Sequence, residues 1–189
     1  MAQNDKKPFG ARDMKIFSRT AATPTYGTGV DVGCFVKLEW EPQVTEKLLE
    51  GDDVICAVAS QFEGIEVNVE HGGFPLPVYA LMIGHTLTDS GTTPNEATIM
   101  NLKVNDVRPY FGFIATAFGT EGGPVMIIGY KHKLTDGAGS ALEKGEFMMG
   151  EHTWVGIPSD YDSVTVLRAI NMEWQLAIST TWLSNNVHI

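Results

Sequence analysis

The chain has 189 residues, 43% of them hydrophobic and 19% charged, which predicts a single folded domain with its own core. It carries 13 Lys and Arg residues against 23 Asp and Glu residues, for a net charge of −10 and a pI near 4.8. Because an acidic surface repels phosphate backbones, this balance argues against specific binding of DNA or RNA.

Signals for disulfides, zinc and membranes are missing from the sequence. Cys34 and Cys56 are the only cysteines, with no CxxC motif, so we expect two reduced thiols. The start, MAQNDKKPFG, lacks the apolar stretch of a signal peptide, and no apolar run approaches the roughly 20 residues of a membrane span. We therefore expect the chain to fold in a cytoplasm, without a cofactor.

The N-terminal part predicts an arm followed by strands. Residues 1–10 are polar and predict a flexible arm, and ARDMKIFS predicts a short strand that ends at Ser18. After a turn-rich segment, hydrophobic residues alternate with others from Val30 to Trp40 until Pro42. This pattern, the strongest in the sequence, predicts one continuous strand.

A long connector, 43–61, separates that strand from a second one. The connector is too long for a hairpin turn and only patchily periodic, which predicts a long loop with a turn at Gly51, Asp52 and Asp53. In the following segment, FEGIEVNVEH, hydrophobic residues alternate with acidic and amide residues, which predicts a strand with one wet face.

The remaining chain predicts one helix and several more strands. PLPVYALMIG has prolines at its start and Gly84 as a C-cap, which favours a short helix, and TLTDSGTTPNEAT predicts a polar loop. From Val107 onward, segments rich in β-branched and aromatic residues alternate with turns, and the last of them fits a strand period better than a helical one. The fold class is therefore all-β, an antiparallel sandwich or barrel with one short flanking helix.

The sequence contains no motif that assigns a reaction. No phosphate-binding loop, GxSxG, HxxxH or HExxH motif occurs, and the acidic turns at 50–53 and 160–162 lack the spacing of a calcium loop. Glu66 and Glu70 would lie about 13 Å apart along a strand, wider than the roughly 5–10 Å between glycosidase carboxylates. Glu66 paired with a carboxylate on a neighbouring strand stays open as an alternative.

The order of segments resembles that of the major tail tube proteins of long-tailed bacteriophages. The resemblance covers about Ala11 to Trp182 and is most specific from Leu48 to Gly84. It consists of the strand GCFVKLEWEP, the segment LLEGDDVICAVASQF, the strand GIEVNVEHGG, the helix PLPVYALMIG and the β segments that follow.

This resemblance implies a β-sandwich flanked by a helix that assembles into hexameric rings, which stack into a hollow tube for DNA exit. The strands around 32–41 and 62–71 would line the channel, the connector 43–61 would reach the adjacent ring, and the arm 1–10 and the tail 183–189 would contact other subunits. Combined with the alternation, it gives the lumen-facing candidates Lys37, Glu39, Glu41, Glu66, Asn68 and Glu70. The candidates for contact between rings are Glu50, Asp52, Asp53, Val54, Ile55 and Val58.

Two residues depart from a purely acidic channel wall. Lys37 would pair with a glutamate on the neighbouring strand. Phe35 shares the alternation of the lumen candidates but does not suit a wet face, so either it lies at a ring junction or the register slips by one residue there.

The sequence therefore predicts a non-enzymatic structural subunit of a virion. Its implied partners are copies of itself, the tape measure, tail terminator and distal tail proteins, and genomic DNA in transit without specific binding. The alternatives are a tail terminator or head-completion ring protein and a carbohydrate-active or ligand-binding β-sandwich.

Overall fold

The computed structural model describes residues 8–20, 25–51, 54–103, 107–119, 123–137, 140, 143–159 and 165–171. Within these residues the elements in chain order are β1 (Pro8–Arg19), β2 (Tyr26–Asp31), β3 (Phe35–Gly51), β4 (Val54–Gly72), α1 (Leu76–Ile83), β5 (Thr88–Ser90), β6 (Ala97–Ile99), β7 (Phe111–Gly119), β8 (Val125–Leu134), β9 (Met149–Gly156) and β10 (Leu167–Asn171).

The strands form one large antiparallel sheet and one small hairpin. The large sheet has the order β2-β1-β7-β8-β9-β4-β3, with β10 also paired to β8, and the small hairpin joins β5 to β6. Every strand pair is antiparallel. The predicted all-β fold with one short helix is confirmed.

The large sheet folds over so that its two halves enclose a single core. Met14 and Ile16 of β1 lie in the same buried cluster as Val67 and Val69 of β4, although β1 and β4 are near opposite ends of the strand order. Trp154 lies between the rings of Phe111 and Phe113, at centroid distances of 5.0 and 5.4 Å. The two layers of the sandwich are thus halves of one hydrogen-bonded sheet.

The helix α1 is where the sequence predicted it. A proline occupies its first turn, where no backbone N–H is needed, and Gly84 ends it with a φ of 89°. The Gly84 N–H donates to the Ala80 carbonyl at 2.9 Å. Val78, Tyr79 and Met82 are buried against the sheet, so the helix covers one end of the core.

The continuous strand predicted from Val30 to Trp40 is wrong, because the chain turns at Gly33 and Cys34. Cys34 has a φ of 52°, which breaks the extended backbone. In the sequence, hydrophobic residues alternate with others on both sides of this turn, because β2 and β3 each have one side toward the core. The turn carries the chain from β2, at one edge of the sheet, to β3, at the other.

The long loop predicted at 43–61 is also wrong. β3 and β4 pair without a gap from Phe35 opposite His71 to Gly51 opposite Val54, so the connector forms the distal half of a β-hairpin. The pairing shifts register between Gln43 and Val44 and again between Leu49 and Glu50, and these irregularities explain the patchy periodicity. We call residues 43–51 and 54–63 the arm.

Three smaller predictions have different outcomes. Residues 8–10 belong to β1 instead of a flexible arm, and the polar loop after α1 contains the short hairpin β5–β6. The ambiguous last segment includes the strand β10, as its period favoured. Residues 1–7, most of the last segment and the tail 183–189 lie outside the described residues.

Candidate functional site

The six lumen-facing candidates lie on one face of the sheet. Residues directly opposite each other in antiparallel strands project to the same side. In the β3–β4 pair the opposed residues are Lys37 and Glu70, Glu39 and Asn68, and Glu41 and Glu66. The opposite side of the same strands carries Leu38, Val67 and Val69, which pack in the core.

Two further strands extend this face. Glu151, Thr153 and Val155 of β9 lie opposite Glu70, Asn68 and Glu66, and Lys133 of β8 lies opposite Val155. We call the resulting surface the polar face; it consists of Lys37, Glu39, Glu41, Glu66, Asn68, Glu70, Glu151, Thr153, Val155 and Lys133. Lys133, Glu151 and Thr153 were not among the sequence candidates.

Lys37 is neutralised locally by two glutamates. Its ammonium donates to Glu39 at 2.9 Å and contacts Glu70 at 3.4 Å. The hydrogen bond to Glu39, followed by the one to Glu70, raises the pKa of Lys37 above its usual value. The lysine that departed from an acidic wall is thus paired across the strands and leaves little positive charge for an incoming anion.

A hydrogen-bond chain orders the middle of the polar face. The Thr153 hydroxyl donates to the Asn68 side-chain oxygen at 2.8 Å, and the Asn68 amide reaches Glu66 at 3.5 Å. The Thr153 backbone N–H donates to the Asp136 carboxylate at 2.7 Å. These bonds fix the Asn68 and Glu66 side chains above the strand that bears them.

Glu41 and Glu66 face each other directly, with Glu41 exposed and Glu66 half-buried. Opposed residues in such a pair have Cβ atoms about 5 Å apart, so two like charges lie side by side. Lys133, in the same row, is separated from Glu66 by the β9 strand. This row is therefore the most anionic part of the polar face.

Phe35 does not belong to the polar face. It lies opposite His71, whereas Lys37 lies opposite Glu70, so β3 contains one extra residue between them. This bulge turns Phe35 to the core side, where it packs against the buried cluster. The register slip considered from the sequence therefore applies to Phe35 alone and does not change the side on which Lys37, Glu39 and Glu41 lie.

The arm is a two-stranded ribbon with one side that is mostly apolar and is interrupted by the opposed residues Glu46 and Ser60. β9 pairs with β4 only from Ile65 to Gly72, so the described residues provide no third strand for the arm. The alternation of β3 and its pairing with β4 place six apolar residues on the side that continues the core face. Five of them belong to the arm and are 45–61% exposed, Val44, Leu48, Ile55, Val58 and Phe62; the sixth, Trp40, lies just before the arm and is 48% exposed.

Four of the six inter-ring candidates lie in this arm. Ile55 and Val58 are on the apolar side, and Glu50 and Val54 lie in the paired strands. Asp52 and Asp53 lie outside the described residues. Sequence reasoning missed Val44, Leu48 and Phe62, whose spacing along β3 and β4 would have indicated a strand face had the bulges been recognised.

The outer edge of β3 has no pairing strand among the described residues. β3 is the last strand of the sheet. A depression lined by Leu38, Glu39, Trp40, Glu41 and Asn68 includes residues from both sides of β3, so it wraps around this edge and is not a cleft between two layers. An unpaired edge of this length is a site for strand addition.

Buried histidines form a second polar cluster under α1. The Nε2 atoms of His71 and His152 are 3.0 Å apart, and Tyr79 lies edge-on to both rings. Burial lowers the pKa of His71, and burial together with the charge of His71 lowers the pKa of His152 to about 4. Opposite Gly156, farther along β9, burial lowers the pKa of His132 to about 3. These rings stay neutral at pH 7.

The described residues contain no group of three or more His, Cys, Asp or Glu side chains arranged to hold a metal ion. In the same part of the chain no helix has the length and hydrophobicity needed to cross a membrane. Comparison with known proteins gave no family: neither the scan against protein-family models nor the search of curated proteins found a match for this chain.

Proposed function

We propose that the chain is a structural subunit of a bacteriophage tail tube, which forms hexameric rings that stack into a hollow conduit for DNA. The observation that carries the proposal is the combination of a charged, ordered sheet face with an apolar two-stranded arm on the same pair of strands. A sheet face of this kind suits the inside of a pipe, and such an arm suits contact with the next ring.

The net charge of the polar face supports a role as a channel wall to which DNA does not adhere. It carries two lysines, Lys37 and Lys133, against the five glutamates Glu39, Glu41, Glu66, Glu70 and Glu151, a net charge of −3 per subunit. DNA binds to walls where Lys or Arg replaces condensed counterions. Because Lys37 is already paired with glutamates, DNA would gain little from contact with this wall.

The arm supports a role in stacking because it is poorly stabilised by its own subunit. A two-stranded hairpin alone is marginally stable in water. Five apolar side chains on one side of the arm are about half exposed. Such a surface is typical of a site that a partner covers, and in a stacked tube the partner is the next ring.

In this proposal the protein works in the virion, and its partners are copies of itself, the tape measure, tail terminator and distal tail proteins. It has no catalytic role. Electron microscopy of concentrated purified protein tests the class directly: long hollow tubes support the tail tube, whereas isolated closed rings support a terminator or completion protein.

The carbohydrate-binding alternative rests on the opposed carboxylates of Glu41 and Glu66. They lie on an open sheet face, and the neighbouring depression wraps a strand edge, so neither provides the enclosed site that sugar hydrolysis requires. A protein that stays monomeric and melts at a higher temperature with added sugars would favour this alternative over the tube.

The double variant Glu66→Lys/Glu70→Lys should convert the channel wall into a DNA-binding surface. Removing two negative charges and adding two positive ones places lysines next to Lys37 and opposite Glu41. We expect tubes of this variant to retain short duplex DNA at about 50 mM salt and to release it at about 200 mM, because phosphate contacts weaken steeply with salt. Retention of labelled DNA by sedimented tubes measures this.

The matched control is Glu143→Lys/Glu146→Lys, which makes the same change of charge in an exposed turn before β9. Control tubes and wild-type tubes should leave the DNA in the supernatant. Equal retention by the wild type and the Glu66→Lys/Glu70→Lys variant would contradict the electrostatic account of the wall.

A further inference from the structure

We propose that neighbouring subunits of the ring are joined by an ion pair between Glu41 of one copy and Lys133 of the next. This inference rests on the proposed function, since it describes how copies of the chain meet within a ring. It identifies two complementary margins of the polar face and thereby gives the ring contact a direction.

Along the row that contains Glu41, the polar face is acidic at one margin and basic at the other. This row runs from Glu41 through Glu66 and Val155 to Lys133. Glu41 lies on β3, the edge strand, and Lys133 lies on β8, three strands away.

Lys133 belongs to a basic cluster just past His132, where the pairing of β7 with β8 ends. The ammonium groups of Lys131 and Lys133 lie 4.9 and 5.4 Å from the ring centre of Tyr110. Arg108 donates to the carbonyl oxygens of Leu134 and Asp136, which fixes the segment 108–110 along the outer side of β8. This margin therefore presents positive charge on an ordered support.

The two margins are too far apart to neutralise each other within one subunit. Three strand spacings of about 4.8 Å separate the backbones of Glu41 and Lys133 by roughly 14 Å. This exceeds the Debye length of about 8 Å at physiological salt, so their mutual attraction is largely screened. A second copy that brings its acidic margin to this basic margin reduces the separation to contact distance.

The open edge of β3 points to a second copy as the partner. Repetition of one contact between two different margins generates a closed ring when the rotation closes. The same contact covers the edge of β3, which has no pairing strand among the described residues. Opposite charges at the two margins favour this head-to-tail contact and disfavour contact between two acidic edges.

A charge exchange tests the inference. Lys133→Glu and Glu41→Lys should each lower the fraction of protein in rings and tubes about tenfold, because each turns attraction into repulsion at every contact. The double variant Lys133→Glu/Glu41→Lys restores the pair in reverse and should recover assembly. Sedimentation velocity and negative-stain microscopy measure the assembled fraction, and circular dichroism establishes that each variant is folded.

The matched controls are Lys144→Glu and Glu143→Lys in the exposed turn before β9, which should assemble as the wild type does. Lys133→Gln removes the positive charge without adding a negative one and should give a smaller loss than Lys133→Glu. Wild-type assembly by both single variants, or no recovery in the double variant, would overturn the ion pair while leaving the tail tube proposal intact. A wild-type protein that forms neither rings nor tubes would overturn both.

Discussion

Tubes should disappear, and rings should remain, when Leu48 and Val58 are both replaced by glutamate. The two residues face each other across the arm and are 53% and 61% exposed in the single subunit. Their replacement therefore costs the isolated fold little. When a neighbouring ring covers the arm, however, two carboxylates per subunit would lose water without a partner, at a cost of several kcal/mol at each contact.

Negative-stain microscopy and sedimentation velocity distinguish rings from tubes for this variant. The control is Ala59→Glu/Gln61→Glu, which adds the same charge on the opposite side of the arm, where Ala59 faces Lys47 and Gln61 faces Thr45. We expect the control to form tubes. If the Leu48→Glu/Val58→Glu protein also forms tubes of normal length, the apolar side of the arm does not carry the stacking contact.

Acid should destabilise the subunit because its buried histidines must be protonated when the chain unfolds. His152 and His132 have folded-state pKa values of about 4 and about 3, both below the usual 6.5. At pH values between 6.5 and these lower folded-state pKa values, the unfolded chain binds protons that the folded chain does not. The free energy of unfolding is therefore highest above about pH 6.5 and falls as the pH decreases. At pH 4 each of these two histidines lowers the free energy of unfolding by about 3 kcal/mol.

The groups around the histidine pair define this effect. His71 lies at 3.0 Å from His152, so protonation of both rings would place two positive charges side by side. The charge of Asp136 opposes the shift at His152 but is smaller than the effects of burial and of His71. Tyr79 is neutral at these pH values, because burial raises its pKa further.

Urea unfolding at pH 7 and at pH 4.5 measures the loss of stability. His132→Leu removes one of the titrating rings, whose two nitrogens have no hydrogen-bond partner in the described part of the chain. We expect this variant to lose less stability than the wild type between the two pH values. Equal free energies of unfolding at both pH values in the wild type would show that the buried rings do not control its acid stability.

The polar face could be predicted from the sequence where the strands are regular. From Ile65 to His71 each residue of β4 has one partner on each neighbouring strand, so the alternation of Glu66, Asn68 and Glu70 is a reliable guide to their side of the sheet. The same holds for Lys37 to Glu41. The prediction fails at Phe35, the first residue of β3, which one extra residue places on the core side.

The arm was missed for a related reason. Its pairing contains two register shifts, so its hydrophobic residues follow neither a strand period nor a helical period over the whole segment. In addition, both sides of the ribbon are exposed to solvent, so its sequence resembles that of a loop. The turn at Gly33 and Cys34 was missed for the opposite reason. Hydrophobic residues alternate regularly through it, so the pattern did not indicate that a strand ends there.

Residues that reach the site through pairing of distant strands could not be predicted from local sequence patterns. Lys133 and Glu151 reach the polar face because β8 and β9 add to β4, and nothing in their own segments indicates which strand they join. The contact between His71 and His152 arises from the same pairing. The core and the helix were more predictable, because hydrophobic period and capping residues act locally.

The orientation of the polar face in the assembled particle is the central claim, and a cryo-electron microscopy map of the particle tests it most directly. We predict that Glu66 and Glu70 point into the bore and that Val67 and Val69 point away from it, into the wall. A map in which Glu66 and Glu70 lie on the outer surface of the tube, or are buried between subunits, would contradict the account.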